Sequence, residues 1–278
     1  MRPIRTCDDS HLNTGLSKCP VDFARMKGAI IVPYGTKLPA KLTAEELTKL
    51  AHADEHERIY GIKGFCEYAV EGGEAQTGSV GYGGLQVTGY SDRADTFTLD
   101  KNYPELHASL TKCSNMSWGA YFFDEKNYLY GLSDDTEVLA PFPMSTIHSN
   151  ATPYSTSSAK STMTVKFCHE DARAAIERAD YVKLDFNPQR ATLGLTAVKL
   201  VKLSENDYKL AENVGGYDLT PTFGPLIADT ATVIDGATAA TYDAAKKAIT
   251  LTVSGSTTPK LKAPKALLEA GIEGIEEV

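Results

Sequence analysis

The 278-residue chain has no CxxC pair, no Gly-x-Ser-x-Gly elbow and no Gly-Lys-Ser/Thr ending to any glycine-rich stretch. Each absence removes a class of chemistry. The five cysteines, Cys7, Cys19, Cys66, Cys113 and Cys168, are odd in number and widely spaced, which argues against a disulfide framework and against a thiolate zinc site. The opening Met1 to Cys7 is not followed by a signal-peptide core, and nowhere do roughly 18 apolar residues run together as a membrane helix requires. The chain is therefore expected to be made and kept in a cytoplasm, away from membranes. Basic charge is scarce as well: 28 Lys and Arg stand against 36 Asp and Glu, a net charge of -8. Tight nucleic-acid binding needs clustered Lys and Arg opposite phosphates, and this balance works against it.

What is present reads as a β-rich protein in two regions. After Arg190 there is no Arg, Cys, His, Met or Trp, while Thr and Ala become dense. That break divides the chain into an expected first domain, 1–189, and a second, 190–278, of a size that suits one sandwich. In the first, an irregular arm over 1–26 leads to a buried strand at 28–34, and Thr43 with Glu46 has capping-box spacing ahead of a helix over 44–60. Phe65, Tyr68 and Val70 mark a strand closed by Gly72-Gly73. Residues 72–90 are rich in Gly and nearly free of charge, fitting an extended hairpin or a loop that orders against a neighbour. The two aromatic runs Trp118–Phe123 and Tyr128–Tyr130 flank a polar turn and predict a β-hairpin. Residues 133–160 form a second long polar stretch, too long for a passive connection. Met163, Val165 and Phe167 alternate on a half-buried strand, followed by a helix over 170–179 and a strand over 181–186. Beyond the break, 193–203, 231–234 and 248–253 are strand candidates, and the apolar residues near the end predict a docked terminus.

Several motifs carry a chemical reading beside a plainer one. His52, Glu55 and His56 match the inverted zinc-protease pattern HxxEH, and on a helix their spacing puts both imidazoles on one face. A zinc hydrolase also needs a third ligand on a second helix, which the sequence does not offer before residue 169, so a charged surface helix is the preferred reading. The stretch Thr77–Gly84 lacks the spacing of a phosphate-cradling loop. Glu269, Glu273, Glu276 and Glu277 form an acidic end, read as solvated carboxylates rather than a cation site. The aromatic hairpin suits a sugar or base by stacking, as in a carbohydrate-binding module, but suits core filling better. No catalytic residue, metal or cofactor is assigned, and the chain is not expected to be an enzyme.

Taken together, the alternating strand feeding one short helix over 161–186, the two long stretches at 72–90 and 133–160, and the Thr-rich C-terminal region resemble tail tube proteins of long-tailed bacteriophages. The resemblance implies a mainly β (α+β) fold: a sandwich or barrel of tail-tube type with one or two flanking helices, followed by an immunoglobulin-like β-sandwich. It implies a virion protein of the phage tail, made in the bacterial host, whose copies close into stacked hexameric rings that also meet other tail proteins. DNA would pass through the tube without specific binding. Contacts between subunits are expected from Gly78, Tyr82, Leu85 and Tyr90 in the first stretch and Pro141, Phe142 and Tyr154 in the second, with Asp92, Asp95 and Asp100 as acidic groups facing the lumen. A head-to-tail connector, distal tail or capsid protein is the alternative within the same class.

Overall fold

A computed structural model describes residues 24–39, 41–79, 81–133, 138–230, 233–253 and 257–278. Cys7, Cys19 and most of the expected N-terminal arm lie outside these residues. The protein is mainly β, with 45% strand and 18% helix. It divides into two compact units, one comprising 1–44 and 60–190, the other 45–59 and 191–278. The segment 45–59, read from sequence as part of the first domain, thus clusters with the second.

The first unit opens with β1 (Met26–Pro33) and β2 (Leu38–Pro39), and the chain then passes into α1 (Ala44–Ala51) of the second unit. It returns with β3 (Tyr60–Lys63), β4 (Phe65–Gly72), β5 (Ala75–Ser79), β6 (Leu85–Tyr90) and β7 (Arg93–Leu99), then α2 (Pro104–Lys112). After these come β8 (Trp118–Asp124), β9 (Tyr128–Ser133), β10 (Val138–Ala140), β11 (Phe142–Ser149), β12 (Met163–His169), α3 (Ala172–Glu177) and β13 (Ala179–Lys183). Eleven of these strands form one sheet that forks at β8. One edge of β8 pairs with β1 along its length, while the other is shared between β11, through Trp118–Ala120, and β9, through Phe122 and Phe123. From the fork one branch runs β11-β12-β7-β4, and the other carries β9 with β10 and β13 on its two sides.

Each branch turns one face to a common aromatic core, because side chains alternate across a strand and every second residue is apolar. In β12 this is Met163, Val165 and Phe167, all fully buried. Phe122, on the other branch, packs its ring 5.3 Å from both Phe97 and Phe167 and 5.7 Å from Phe142. The hairpin expected at 118–130 is β8 and β9. Its turn is held by Asp124, fully buried, whose carboxylate accepts from the Lys126 and Tyr128 N–H groups, each at 2.9 Å, and from the Tyr130 hydroxyl at 2.7 Å.

Two elements differ from the sequence reading in position. The long loop expected over 133–160 contains β10 and β11, in which Leu139, Phe142, Met144 and Ile147 are buried at a spacing that Pro141 and Pro143 disguised; among the described residues the irregular stretch is 150–162. The helix after β12 is shorter than expected, starting at Ala172 because the Asp171 carboxylate caps the N–H groups of Arg173 and Ala174. β13 accordingly begins two residues early.

The second unit comprises, besides α1, β14 (Thr196–Lys202), β15 (Asp207–Glu212), α5 (Thr220–Asp229), β16 (Ile234–Asp235), β17 (Ala237–Asp243), β18 (Ala248–Val253), β19 (Lys260–Leu261), α6 (Pro264–Glu269) and β20 (Ile275–Glu277). α4 (Pro188–Ala191) is the short turn at the boundary. This is not the expected immunoglobulin-like sandwich. One mixed sheet runs β17-β18-β15-β14-β20, its last pair parallel, and α5 packs on β15, β17 and β18 where a sandwich would set a second full sheet. α5 carries Gly224 and Pro225, residues that ordinarily interrupt a helix. Gly224 is needed there: a Cβ would lie 2.6 Å from the Tyr242 ring of β17, so only glycine lets helix and sheet meet. The end of the chain is docked through β20, with Leu267, Ile272 and Ile275 buried.

Candidate assembly interface

β4 and β7 form the last pair of their branch and continue outward as β5 and β6. The passage between the two halves is a kink at Gly72 and Gly73, where the Gly73 N–H donates to the carbonyls of Ser91 and Asp92. Gly72 has φ +70°, and a Cβ on it would lie 1.8 Å from the Asp92 carbonyl oxygen, so no other residue fits without moving the chain. Beyond the kink, β5 pairs with β6 alone from Ala75↔Tyr90 to Ser79↔Leu85. The hairpin alternative for 72–90 is the one observed.

This distal hairpin buries almost nothing. Tyr82 is fully exposed at its tip, Leu85 is 76% exposed and Val87 58%. No Asp, Glu, Lys or Arg occurs from Ala75 to Tyr90. β4 is nearly as open: every residue from Cys66 to Gly72 is exposed, and among the described residues β4 pairs only with β7. Of the expected contact residues, Tyr82, Leu85 and Tyr154 stand in solvent, while Gly78 and Tyr90 are half-buried. Pro141 and Phe142 do not share that surface. Both are buried in the unit itself, Phe142 against Phe122 and the His169 ring.

The three expected lumen carboxylates also separate. Asp92 and Asp100 are exposed at the two ends of β7, but Asp95 is 2% exposed and turned into the unit. Its carboxylate meets His169 Nε2 at 2.6 Å, accepts from the Tyr68 hydroxyl at 2.8 Å and from Arg93 Nη2 at 3.2 Å. Burial alone would raise its pKa; the His169 hydrogen bond, the Arg93 charge and the Tyr68 hydroxyl outweigh it and hold the group below its ordinary value. Desolvation, and then Asp95 itself, push the Tyr68 phenol up to about 12. On the opposite face of β4, β7 and β12 lie Glu67 and Glu71 with Ala94, Thr96, Thr98, Thr164 and Lys166, the Lys166 ammonium 2.7 Å from Glu71. The carboxylates on the outward face of this branch are therefore Glu67 and Glu71, which the acidic count near β7 had missed; their position follows from the bulge between Phe65 and Glu67, which resets the alternation.

Among the described residues β4 is the last strand of one branch and β13 lies along one side of the other. A cleft of about 270 Å³ is walled by Tyr68, Phe97, Phe122, Tyr130, Phe142 and Tyr181, with Arg93 and Asp180 as its charged groups beside the buried Asp95. Met26 of β1, Ala175 of α3 and Ala179 of β13 complete the lining.

The HxxEH motif is not assembled. α1 ends at Ala51, so His52 and His56 lie beyond the helix and share no face of it. His52 is buried, not on a solvated surface: its Nδ1 lies 2.9 Å from the Thr48 carbonyl and its Nε2 accepts from the Gly274 N–H at 3.2 Å. Both ring nitrogens are thus engaged within the second unit. Arg58 reinforces the same attachment through a two-pronged pair with Glu276 at 2.7 and 3.0 Å, and Glu277 accepts from the Leu261 N–H. Two of the four terminal carboxylates are accordingly structural. Among the described residues no group of three His, Cys, Asp or Glu is placed to hold a metal. Tyr121 and Phe123 of the aromatic hairpin are fully buried in the core, while Trp118 and Tyr128 are half-buried.

No protein-family model matches the chain, and none of the curated proteins matches it.

Proposed function

We propose that the protein is a structural subunit that joins copies of itself through the first unit, forming stacked, sixfold rings of the kind found in the tail tube of a long-tailed bacteriophage. The observation that carries this reading is the pairing of a free, exposed strand edge with an uncharged hairpin whose Tyr82, Leu85 and Val87 stand in water. An isolated chain gains nothing from that arrangement. Burying each of these side chains is worth about 1.5–3 kcal/mol, and an open edge invites uncontrolled pairing. A neighbouring copy removes both costs at once.

In such a ring the outward face of β4, β7, β12 and β11 is the surface that would line a lumen. It is polar and free of aromatics, and Glu67 and Glu71 face only Lys166 on β4, β7 and β12. That face suits DNA that must pass without being gripped, since carboxylates repel phosphates and there is no cationic track. The other tail proteins would meet the ring stack at its ends. Purified protein at high concentration, viewed by negative-stain microscopy and sized by sedimentation velocity, is expected to form rings or tubes. A single monomeric species under those conditions would overturn the proposal.

A further inference from the structure

Two strands of the first unit expose apolar side chains in the same pattern. In β4 Tyr68 and Val70, and in β6 Leu85 and Val87, stand two positions apart, and each is at least 49% exposed. Among the described residues no other strand shows water two large apolar side chains at that spacing. We infer that β6 of one copy pairs antiparallel with the outer edge of β4 in the next, Val87 opposite Tyr68 and Leu85 opposite Val70. The inference rests on the self-assembly reading and adds to it the two strands that meet and their register.

Residues two apart share a face of a strand, so this register gathers all four apolar side chains on one face. Directly opposite neighbours lie about 5 Å apart and cover one another. The other face matches as well. It sets Gln86 opposite Ala69, with Glu67 and Glu71 as diagonal neighbours within reach of a side-chain amide that donates to carboxylates. Residues 75–90 bring no charge of their own. Two β4 edges meet less well: aligning Tyr68 of each with Val70 of the other sets Glu67 opposite Glu71 twice, and like charges directly opposite are destabilising. Two β6 edges would leave Tyr68 and Val70 in water. A single contact between unlike edges covers all four.

The contact must join two copies. The ladder of β4 with β7 continues across the kink into that of β5 with β6, through the Gly73 N–H to the Ser91 carbonyl at 3.3 Å and the Ser91 N–H to the Glu74 carbonyl at 3.0 Å. β6 therefore lies on the β7 side of its own chain, and the outer edge of β4 faces away from it. Among the described residues β4 pairs only with β7, and β6 only with β5. A contact between unlike edges is heterologous and repeats from copy to copy until a ring closes.

The test mixes two cysteine variants, Val70→Cys in one chain and Leu85→Cys in the other, both carrying Cys66→Ser, and maps disulfides by peptide mass spectrometry after mild oxidation of the assembled protein. Links between positions 70 and 85, at several times the yield of links between like positions, support the inference. A compensating pair checks the register. Gln86→Glu puts a third carboxylate beside Glu67 and Glu71 and is expected to lower the assembled fraction severalfold in sedimentation velocity, and Ala69→Lys in the same chain is expected to restore it. Rings that form with links between like positions, or with neither kind, would overturn the pairing and leave self-assembly standing. The pairing is equally overturned if Gln86→Glu assembles as well as the parent, or if Ala69→Lys brings no recovery. Absence of any assembly by the parent protein removes both readings.

Discussion

Two hairpins of the first unit, one rich in aromatics and one rich in glycine, end in opposite environments. In β8 and β9 the aromatic and aliphatic side chains close the core, with Tyr121, Phe123 and Leu129 at or near zero exposure. In β5 and β6 the apolar side chains Leu85 and Val87 face water. The difference includes what surrounds the ladder. β8 is flanked on one edge by β1 and on the other by β11 and β9, whereas among the described residues β5 and β6 pair only with each other. A two-stranded ladder alone is marginal in water, so a long, uncharged one is stable in use only against a further surface. The core hairpin is thus set apart both by its aromatic content and by the number of strands beside it.

The contrast can be broken most strongly at its buried end. Phe122→Ala empties the position where Phe97, Phe142 and Phe167 meet and is expected to cost about 4 kcal/mol in urea unfolding. Asp124→Ala strands two backbone N–H groups and the Tyr130 hydroxyl, with an expected loss of about 3 kcal/mol by the same measurement. Gly72→Ala tests the joint between the core ladder and the distal one. Its positive φ and the Asp92 carbonyl in the way predict a loss of about 2 kcal/mol, with amide shifts concentrated in 72–92 in NMR spectra.

A smaller effect is expected from acid. Because the Asp95 pKa is depressed in the folded state, the unfolded chain binds the proton first as pH falls. The contribution is therefore fully present above the ordinary carboxylate value of 3.8 and is lost below it. Asp95→Asn should flatten the acid limb of a stability-versus-pH curve, and an unchanged slope would show that other carboxylates set it. Least of all should happen at the exposed end: Leu85→Ser is expected to move monomer stability by under about 0.5 kcal/mol, while lowering the assembled fraction in sedimentation velocity. A large loss of monomer stability would mean that the distal hairpin belongs to the core after all.

Much of the fold was legible because it rested on local periodicity. The alternation of Met163, Val165 and Phe167 gave β12, and the two aromatic runs around Asp124 to Asn127 gave β8 and β9, since a period of two needs no knowledge of partners. Where two constraints competed, the local rule failed. Gly224 and Pro225 signalled a break but serve a close approach to Tyr242, and Pro141 and Pro143 hid β11. The HxxEH spacing was sound as a motif, yet the helix stopped at Ala51 and His52 was taken up by Thr48 and Gly274. Asp95 counted as one more surface acid until its alternation with Phe97 turned it inward.

The sequence by itself determined the mainly β character, the compositional break near residue 190 and the presence of an uncharged glycine-rich stretch, because composition and spacing are properties of neighbours along the chain. Only the tertiary structure decided that 45–59 belongs with the second unit, that 72–90 forms a hairpin, and that Asp95 is buried while Glu67 and Glu71 face outward. Those facts depend on which distant strands pair and on which edges remain unpaired, and free energy of that kind is assigned only when the whole chain has folded.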